Sequence, residues 1–88
     1  MQYRIEFRPA AVRDLAKLDK PARENIAVKI DDLQQDPRPP GAEVLQGHQK
    51  RYRVRVGMYR IIYWVKDSML LVLVIRIGHR REINRLLK

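Results

Sequence analysis

Residues 50–80 read KRYRVRVGMYRIIYWVKDSMLLVLVIRIGHR, and this stretch decides the fold. From position 51 to position 56 basic and apolar residues alternate strictly, which is the period-2 pattern of a strand with one buried face. Gly57 and Met58 then predict a two-residue hairpin loop into the next strand. The whole stretch predicts three hairpin-connected strands, followed by a turn into a short helix over HRREINRLLK.

The predicted hairpin register brings three arginines together. With residues 57 and 58 in the loop, Arg55 lies opposite Arg60, and Arg53 shares their face of the sheet. The same register pairs flanking apolar residues: Val56 with Tyr59 and Val54 with Ile61. Like charges directly opposite each other destabilise a sheet, so this face favours an anionic partner that supplies the missing charge. A solubilising outer face is the alternative.

The residues before this stretch predict one strand and two helices. QYRIEF at 2–7 alternates polar and apolar residues. Pro9 suits the first turn of one helix, and Asp19 can cap the next. Their apolar stripes comprise Ala11, Val12, Leu15 and Leu18, and then Ala22, Ile26, Ile30 and Leu33. The prolines and glycine of 36–42 end the second helix, and residues 44–45 form a short anchoring segment.

The last two strands are predicted at 58–66 and 69–77, around a turn at 67–68. The run LLVLVI is apolar throughout, which predicts an interior strand covered on both faces. Gly78 is expected to end it. The sequence therefore predicts one α+β domain over residues 1–88, in the order β-α-α-β-β-β-α. Its mostly antiparallel four-stranded sheet has the two-helix hairpin on one face, and a short helix ends the chain.

The positive charge is concentrated in the second half of the chain. The 88 residues include 19 Lys and Arg against 10 Asp and Glu, for a formal net charge of +9. Residues 1–42 hold 8 basic and 7 acidic residues, a net +1, whereas residues 43–88 hold 11 and 3, a net +8. This distribution predicts a phosphate-rich partner for the sheet and the last helix.

Composition excludes several kinds of site. There is no cysteine, which removes disulfides, thiolate catalysis and cysteine metal sites, and the two histidines, His48 and His79, fit no metal-ligand spacing. The N-terminus lacks an apolar signal core, and the longest apolar run, residues 69–75, falls far short of the ~20 residues that span a bilayer. These features predict a soluble cytoplasmic protein.

Four motifs, taken in order, resemble the RelE/ParE superfamily of bacterial and archaeal toxins: Leu45-Gln46-Gly47, Tyr52-Arg53-Val54-Arg55, Tyr59-Arg60-Ile61-Ile62-Tyr63 and Gly78-His79-Arg80-Arg81-Glu82-Ile83. The resemblance covers essentially the whole chain. For RelE-like members it implies a ribosome-dependent endoribonuclease, or mRNA interferase, which cuts mRNA in the A site. The 2′-OH attacks the adjacent phosphate and leaves a 2′,3′-cyclic phosphate, without metal or cofactor. The implied partners are a RelB-like antitoxin and mRNA on the ribosome.

The resemblance also assigns catalytic residues. Arg60 matches the family's transition-state arginine, Arg53 and Arg55 match its paired basic residues, and Arg80 matches the arginine that follows the last strand. Asn84 stands where many members have tyrosine. Asparagine can neither act as a general base nor stack on a nucleobase. The remaining substrate-binding candidates are Lys50, Arg51, Arg81 and Arg85.

Two sets of alternatives stay open. Because arginine is a poor proton acceptor, His79 is a candidate general base, although it could instead cap or pack the start of the last helix. Tyr63 and Trp64 are stacking platforms or, more simply, core and interface residues. At the level of function, the alternatives are a ParE-like inhibitor of DNA gyrase and a non-catalytic binder of ribosomes or RNA.

Overall fold

A computed structural model describes residues 2–45, 47 and 50–86, with the side chains of residues 84–86 outside that description. The strands are β1 (Arg4–Phe7), β2 (Glu43–Val44), β3 (Arg51–Val56), β4 (Tyr59–Lys66) and β5 (Leu71–His79). The helices are α1 (Pro9–Ala16), α2 (Lys20–Gln35) and α3 (Arg80–Leu86), and a 3-10 turn over Asp67–Met69 joins β4 to β5.

The sheet confirms the predicted α+β class but has five strands, in the order β1-β5-β4-β3-β2. β1 runs parallel to β5, and the other neighbours are antiparallel. The prediction of four strands was wrong because Glu43 and Val44 pair with Arg53 and Tyr52 at one edge. Two residues are too few to carry a periodic pattern. The anchoring role predicted for this segment does hold, since Leu45 is buried.

The β3–β4 register agrees with the prediction, with Arg55 opposite Arg60 and Val56 opposite Tyr59. β5 lies between β1 and β4, as its continuous apolar run predicted. The predicted end of β5 was wrong, because the strand continues through Gly78 to His79. Glycine is tolerated there because Gly78 pairs with Arg60 and lies directly beneath α3.

The main core lies between the helix hairpin and one face of the sheet. Asp19 Oδ1 accepts a hydrogen bond from the Ala22 N–H at 3.2 Å and caps α2 as predicted. The four predicted α2 core residues are all buried, whereas Val12 of α1 is 53% exposed and was wrongly included in the stripe. The helix-covered face also receives Tyr59, Ile61, Tyr63 and Val65 from β4.

A polar cluster fixes the loop between α2 and β2. Arg38 forms a two-point salt bridge with Asp67 at 2.7 and 3.1 Å, and its Nε donates to the Tyr52 hydroxyl at 2.7 Å. The Tyr3 hydroxyl donates to Asp67 at 2.6 Å. Tyr63, fully buried, donates to the Pro37 carbonyl at 2.7 Å. The loop that leads into β2 is therefore tied to β3, to β4 and to the 3-10 turn, which Tyr3 also contacts.

The opposite face of the sheet is covered only in part. Ile83 of α3 packs with Leu45, Ile62 and Ile75 in a second, smaller core. Residues of β3 and β4 that alternate with the main core point to this side, and they include Arg53, Arg55 and Arg60. The predicted packing of the last helix on the sheet is therefore confirmed for Ile83.

Candidate functional site

Four arginines meet on the partly open face: Arg53, Arg55, Arg60 and Arg80, called here the arginine surface. The directly opposed pair Arg55–Arg60 forms its centre. Arg60 is half-buried, and its pKa is lowered first by burial and then by the charges of Arg55, Arg53 and Arg80. Both effects oppose the charged form of Arg60, and the second reflects the positive charge that accumulates around it.

Compensating negative charge is scarce on this surface. Glu43 forms a salt bridge with Arg53 at 3.1 Å. Within the described parts of the chain, no carboxylate lies within salt-bridge distance of Arg55, Arg60 or Arg80. Arg60 instead donates to the carbonyl of its neighbour Tyr59 at 3.3 Å. Such a group of guanidinium forks suits a bound phosphate, which accepts paired hydrogen bonds.

Gly78 determines how α3 and Arg80 approach the arginine surface. It is paired with Arg60, and a Cβ at this position would lie 3.4 Å from the Ile83 Cδ1 atom. The backbone N–H of Arg80 donates to the Met58 carbonyl at 2.9 Å, which joins the start of α3 to the β3–β4 loop. A methyl group at this distance is in ordinary van der Waals contact, whereas we expect a larger, branched side chain to push α3 and Arg80 away from Arg60.

His79 lies on the other side of the sheet from Arg60. Its ring meets Tyr59 edge to face, with centroids 6.0 Å apart, and Tyr59 belongs to the main core beneath the helix hairpin. The His79 Nδ1 atom accepts the Arg81 N–H at 3.3 Å. Its position supports the packing and capping alternative, and His79 is not brought together with the arginine surface.

The other candidates are spread along the same elements. Arg51 lies opposite Trp64, at the far end of the row that continues through Arg53 and Arg55. Lys50 has a left-handed backbone, and its carbonyl accepts the Val65 N–H at 2.9 Å. Arg81 is exposed near the start of α3. The side chains of Asn84 and Arg85, and the whole of Gln46 and His48, lie outside the described residues.

The family model described as the ParE toxin of the type II toxin-antitoxin system parDE matches residues 5–84. The chain belongs to the RelE/ParE toxin superfamily. The matched range extends from β1 into α3 and contains the whole arginine surface. The RelE/ParE family expectation is confirmed, and the chain is a toxin of a type II toxin-antitoxin system.

The sequences of relatives match this toxin over most of their length. Toxin RelG of Mycobacterium tuberculosis is 33% identical over 88 residues, 97% of this chain and 99% of RelG. The mRNA interferase toxin RelE of Escherichia coli K12 is 30% identical over 84 residues, 93% of this chain and 87% of RelE.

Solved structures of RelE proteins share the fold. A mutant of E. coli toxin RelE in the free state superposes with a TM-score of 0.82 at 26% identity, covering 96% of this chain and 90% of that one. The archaeal RelE–RelB complex from Pyrococcus horikoshii gives a TM-score of 0.80 at 27% identity, covering 91% and 97%.

Two aromatic residues of the toxin differ in environment. Tyr63 is a core residue, and burial raises the pKa of its hydroxyl. Trp64 is half-buried on the same face as Arg51, and Lys66 Nζ lies 5.4 Å from the centre of its ring. Tyr63 is thus withdrawn from any substrate, whereas Trp64 stands beside two cations on the partly open face.

Sequence reasoning missed two acidic residues that organise the toxin. Asp14 of α1 binds Arg76 at 2.8 and 3.1 Å and accepts the Ile77 N–H at 3.0 Å, beside a bulge in β5. Burial opposes ionisation of Asp14, but the Arg76 and Ile77 hydrogen bonds outweigh it and lower the pKa. Glu43 was missed because β2 is so short; its pairing with Arg53 depends on a register that only the folded sheet defines.

Among the described residues, no helix is long and apolar enough to cross a membrane. The same residues contain no group of three or more His, Asp or Glu side chains with the geometry of a metal site.

Proposed function

We propose that this toxin is a ribosome-dependent endoribonuclease that cleaves mRNA in the A site and so inhibits translation in the cytoplasm. The 2′-OH attacks the adjacent phosphorus, the bond to the 5′-oxygen breaks, and the products are a 2′,3′-cyclic phosphate and a 5′-hydroxyl. The nucleophile belongs to the substrate, so the reaction as proposed requires no metal or cofactor. The name of the E. coli relative, mRNA interferase toxin RelE, supports this reaction.

The observation that carries the proposal is the crowding of Arg55, Arg53 and Arg80 around Arg60. A phosphate passing through a pentacovalent state gains negative charge on its non-bridging oxygens, and fixed cations stabilise that state more than the ground state. The charges of these neighbours and burial both disfavour the charged form of Arg60. A bound phosphate relieves this repulsion, so binding energy is concentrated at the reacting group.

The second partner in the proposal is a RelB-like antitoxin. The Pyrococcus horikoshii relative was solved as a RelE–RelB complex, and this fold agreement supports an antitoxin partner here. The net charge of +8 over residues 43–88 favours an acidic antitoxin segment that covers the arginine surface. Occupation of that surface would exclude mRNA by competition for the same cations.

A ParE-like inhibitor of DNA gyrase is the second candidate, and one observation favours it: the matching family model is that of the ParE toxin. Asn84 in place of the usual tyrosine points the same way. A gyrase binder has no need of a phosphate site, so the composition of the arginine surface favours the ribonuclease. A non-catalytic ribosome or RNA binder would keep the charges without cleaving.

Primer extension on an mRNA in a translating extract, run beside a gyrase supercoiling assay on the same preparation, separates these functions. Ribosome-dependent cuts within codons, lost in Arg60→Ala and retained in Arg13→Ala, are the expected result. Arg13 is exposed on α1 and serves as the charge-matched control. Intact mRNA with inhibited supercoiling would establish the gyrase inhibitor instead. Intact mRNA with normal supercoiling by gyrase would favour the non-catalytic ribosome or RNA binder.

A further inference from the structure

The proposed cleavage needs an acceptor for the 2′-OH proton, and the inference below rests on that proposed function. Arginine is always charged in proteins and accepts protons poorly. His79 lies on the far side of the sheet against Tyr59. The arginine surface therefore needs a base from another residue type.

Glu43 brings a carboxylate to the arginine surface. It lies directly opposite Arg53 in the β2–β3 pairing, and its Oε2 atom is 3.1 Å from Arg53 Nη2. Its side chain remains 54% exposed. Glu43 and Arg55 also line one cavity of about 280 Å³, together with Lys29 of α2 and Val54 of the main core. The Glu43 charge reaches the centre of the surface, since it raises the pKa of Arg60 against the trend of the other neighbours.

The salt bridge holds Glu43 without using all of its hydrogen-bonding capacity. Only Oε2 bonds to Arg53, and the part of the chain described by the structure offers Oε1 no partner within hydrogen-bond distance. β2 itself is fixed by the Leu45 N–H, which donates to the Arg51 carbonyl at 2.9 Å, and by burial of the Leu45 side chain. One carboxylate oxygen is therefore oriented by arginine while the other can face a substrate hydroxyl.

We propose that Glu43 is the general base of the cleavage. Its Oε1 atom takes the proton of the 2′-OH as the 2′-oxygen bonds to phosphorus. The bond from phosphorus to the 5′-oxygen breaks, the 5′-oxygen takes a proton from water, and Glu43 later returns its proton to solvent. Arg60 and Arg55 bind the phosphate oxygens throughout. Arg53 holds the Glu43 carboxylate in place through Oε2.

The decisive variant is Glu43→Gln, because loss of a base and loss of a negative charge have opposite effects on this surface. Removing the charge strengthens phosphate binding, since Glu43 repels RNA. Removing the base slows the chemistry by roughly 10²–10⁴-fold, the usual contribution of general-base catalysis. We therefore expect Glu43→Gln to bind an uncleavable 2′-O-methyl oligoribonucleotide at least as tightly as the parent while cutting ribosome-bound mRNA at least 100-fold more slowly.

Two further variants keep the test interpretable. Glu43→Asp retains a carboxylate and should recover part of the cleavage rate. Glu24→Gln removes an exposed carboxylate of α2 and should cut like the parent. Thermal unfolding of each variant checks that the fold is retained. If Glu43→Gln fails to fold, the cleavage rate of Glu43→Asp is compared with that of Glu43→Ala to decide the same question.

Failure of the inference differs from failure of the proposed function. If the parent leaves mRNA intact, the ribonuclease and this inference both fall. If the parent cuts and Glu43→Gln cuts at the same rate or faster, the ribonuclease stands and Glu43 is only the counterion of Arg53.

Discussion

Arg55 and Arg60 stand directly opposite each other across the β3–β4 hairpin. Opposed like charges on neighbouring strands destabilise a sheet, whereas favourable cross-strand pairs contribute roughly 0.2–1 kcal/mol each. We expect the free energy of unfolding of Arg60→Gln to equal that of the parent or to exceed it by up to about 1 kcal/mol. We also expect this variant to cleave RNA at least ~100-fold more slowly. Urea denaturation and primer extension measure the two quantities.

The control for this trade between stability and activity is Arg13→Gln on α1, which should change neither. A marked loss of stability in Arg60→Gln, on the order of 2 kcal/mol or more, would mean that Arg60 is a structural residue whose repulsion is offset elsewhere.

The salt bridge between Arg38 and Asp67 predicts how stability depends on pH. Hydrogen bonds from Arg38 and Tyr3 lower the pKa of Asp67 from 3.8 to about 2. Because the folded-state pKa is the lower one, the contribution of Asp67 is complete above pH ~4 and is lost as the pH falls from there toward 2. In Asp67→Asn, the unfolding free energy should fall less steeply than in the parent across this window.

Urea denaturation at several pH values between 2 and 6 tests this prediction. Asp31→Asn, on the exposed side of α2, is the matched control and should follow the parent curve. Identical slopes for Asp67→Asn and the parent would show that the two-point contact with Arg38 does not persist in solution.

Gly78 predicts a link between packing and the proposed catalysis. The Cβ of Gly78→Ala would meet Ile83 Cδ1 and Glu82 Oε2 at 3.4 Å, which small shifts can relieve. The branched side chain of Gly78→Val has no such room, and overpacking of this kind costs roughly 1–3 kcal/mol. We expect Gly78→Val to lose cleavage more than its residual stability explains, because Arg80 moves with α3.

Chemical denaturation and cleavage assays on both Gly78 variants, at a temperature where each is folded, separate the two effects. Ile83→Ala, which empties the same contact without adding bulk, completes the series. If Gly78→Val cleaves like the parent while folded, the position of Arg80 is not set by this contact.

Asp14 joins α1 to β5 and is only 12% exposed. Asp14→Ala leaves the Arg76 guanidinium and the Ile77 N–H without this acceptor, and each unsatisfied group of this kind costs about 1–3 kcal/mol when buried. Since Arg76 is 36% exposed and can turn to water, we expect a loss near the lower end, about 1–2 kcal/mol. In the Arg76→Leu background the same substitution should cost less, and equal costs in both backgrounds would exclude coupling between Asp14 and Arg76.

The elements that the sequence predicted well are those with long periodic patterns. The strict alternation around Arg53 fixed both the strand and its register, since a shift by one residue would have turned its apolar side chains to water. The stripe from Ala22 to Leu33 identified the buried side of α2 in the same way. Val12 broke the pattern because α1 is short, and its position at the margin of the stripe leaves it exposed.

The features that the sequence left undetermined depend on contacts between distant segments. The face of the sheet on which His79 lies depends on the bulge at Ile75 and Arg76, and no local sequence pattern encodes that bulge. The pairing of Glu43 with Arg53 depends on the loop held by Arg38. Gly78 was expected to end β5, but the strand continues because residue 78 still pairs with Arg60, a contact that no local pattern reveals.

The parallel pairing of β1 with β5 has a consequence for synthesis of the toxin. Arg4 at the start of the chain pairs with Leu71, so the first strand acquires its only neighbour within the described sheet when the last strand appears. Contacts of such high sequence separation close late and slowly. The sheet of the nascent chain therefore cannot be completed until β5 has been made, and the arginine surface is complete only once Arg80, which follows β5, has been added.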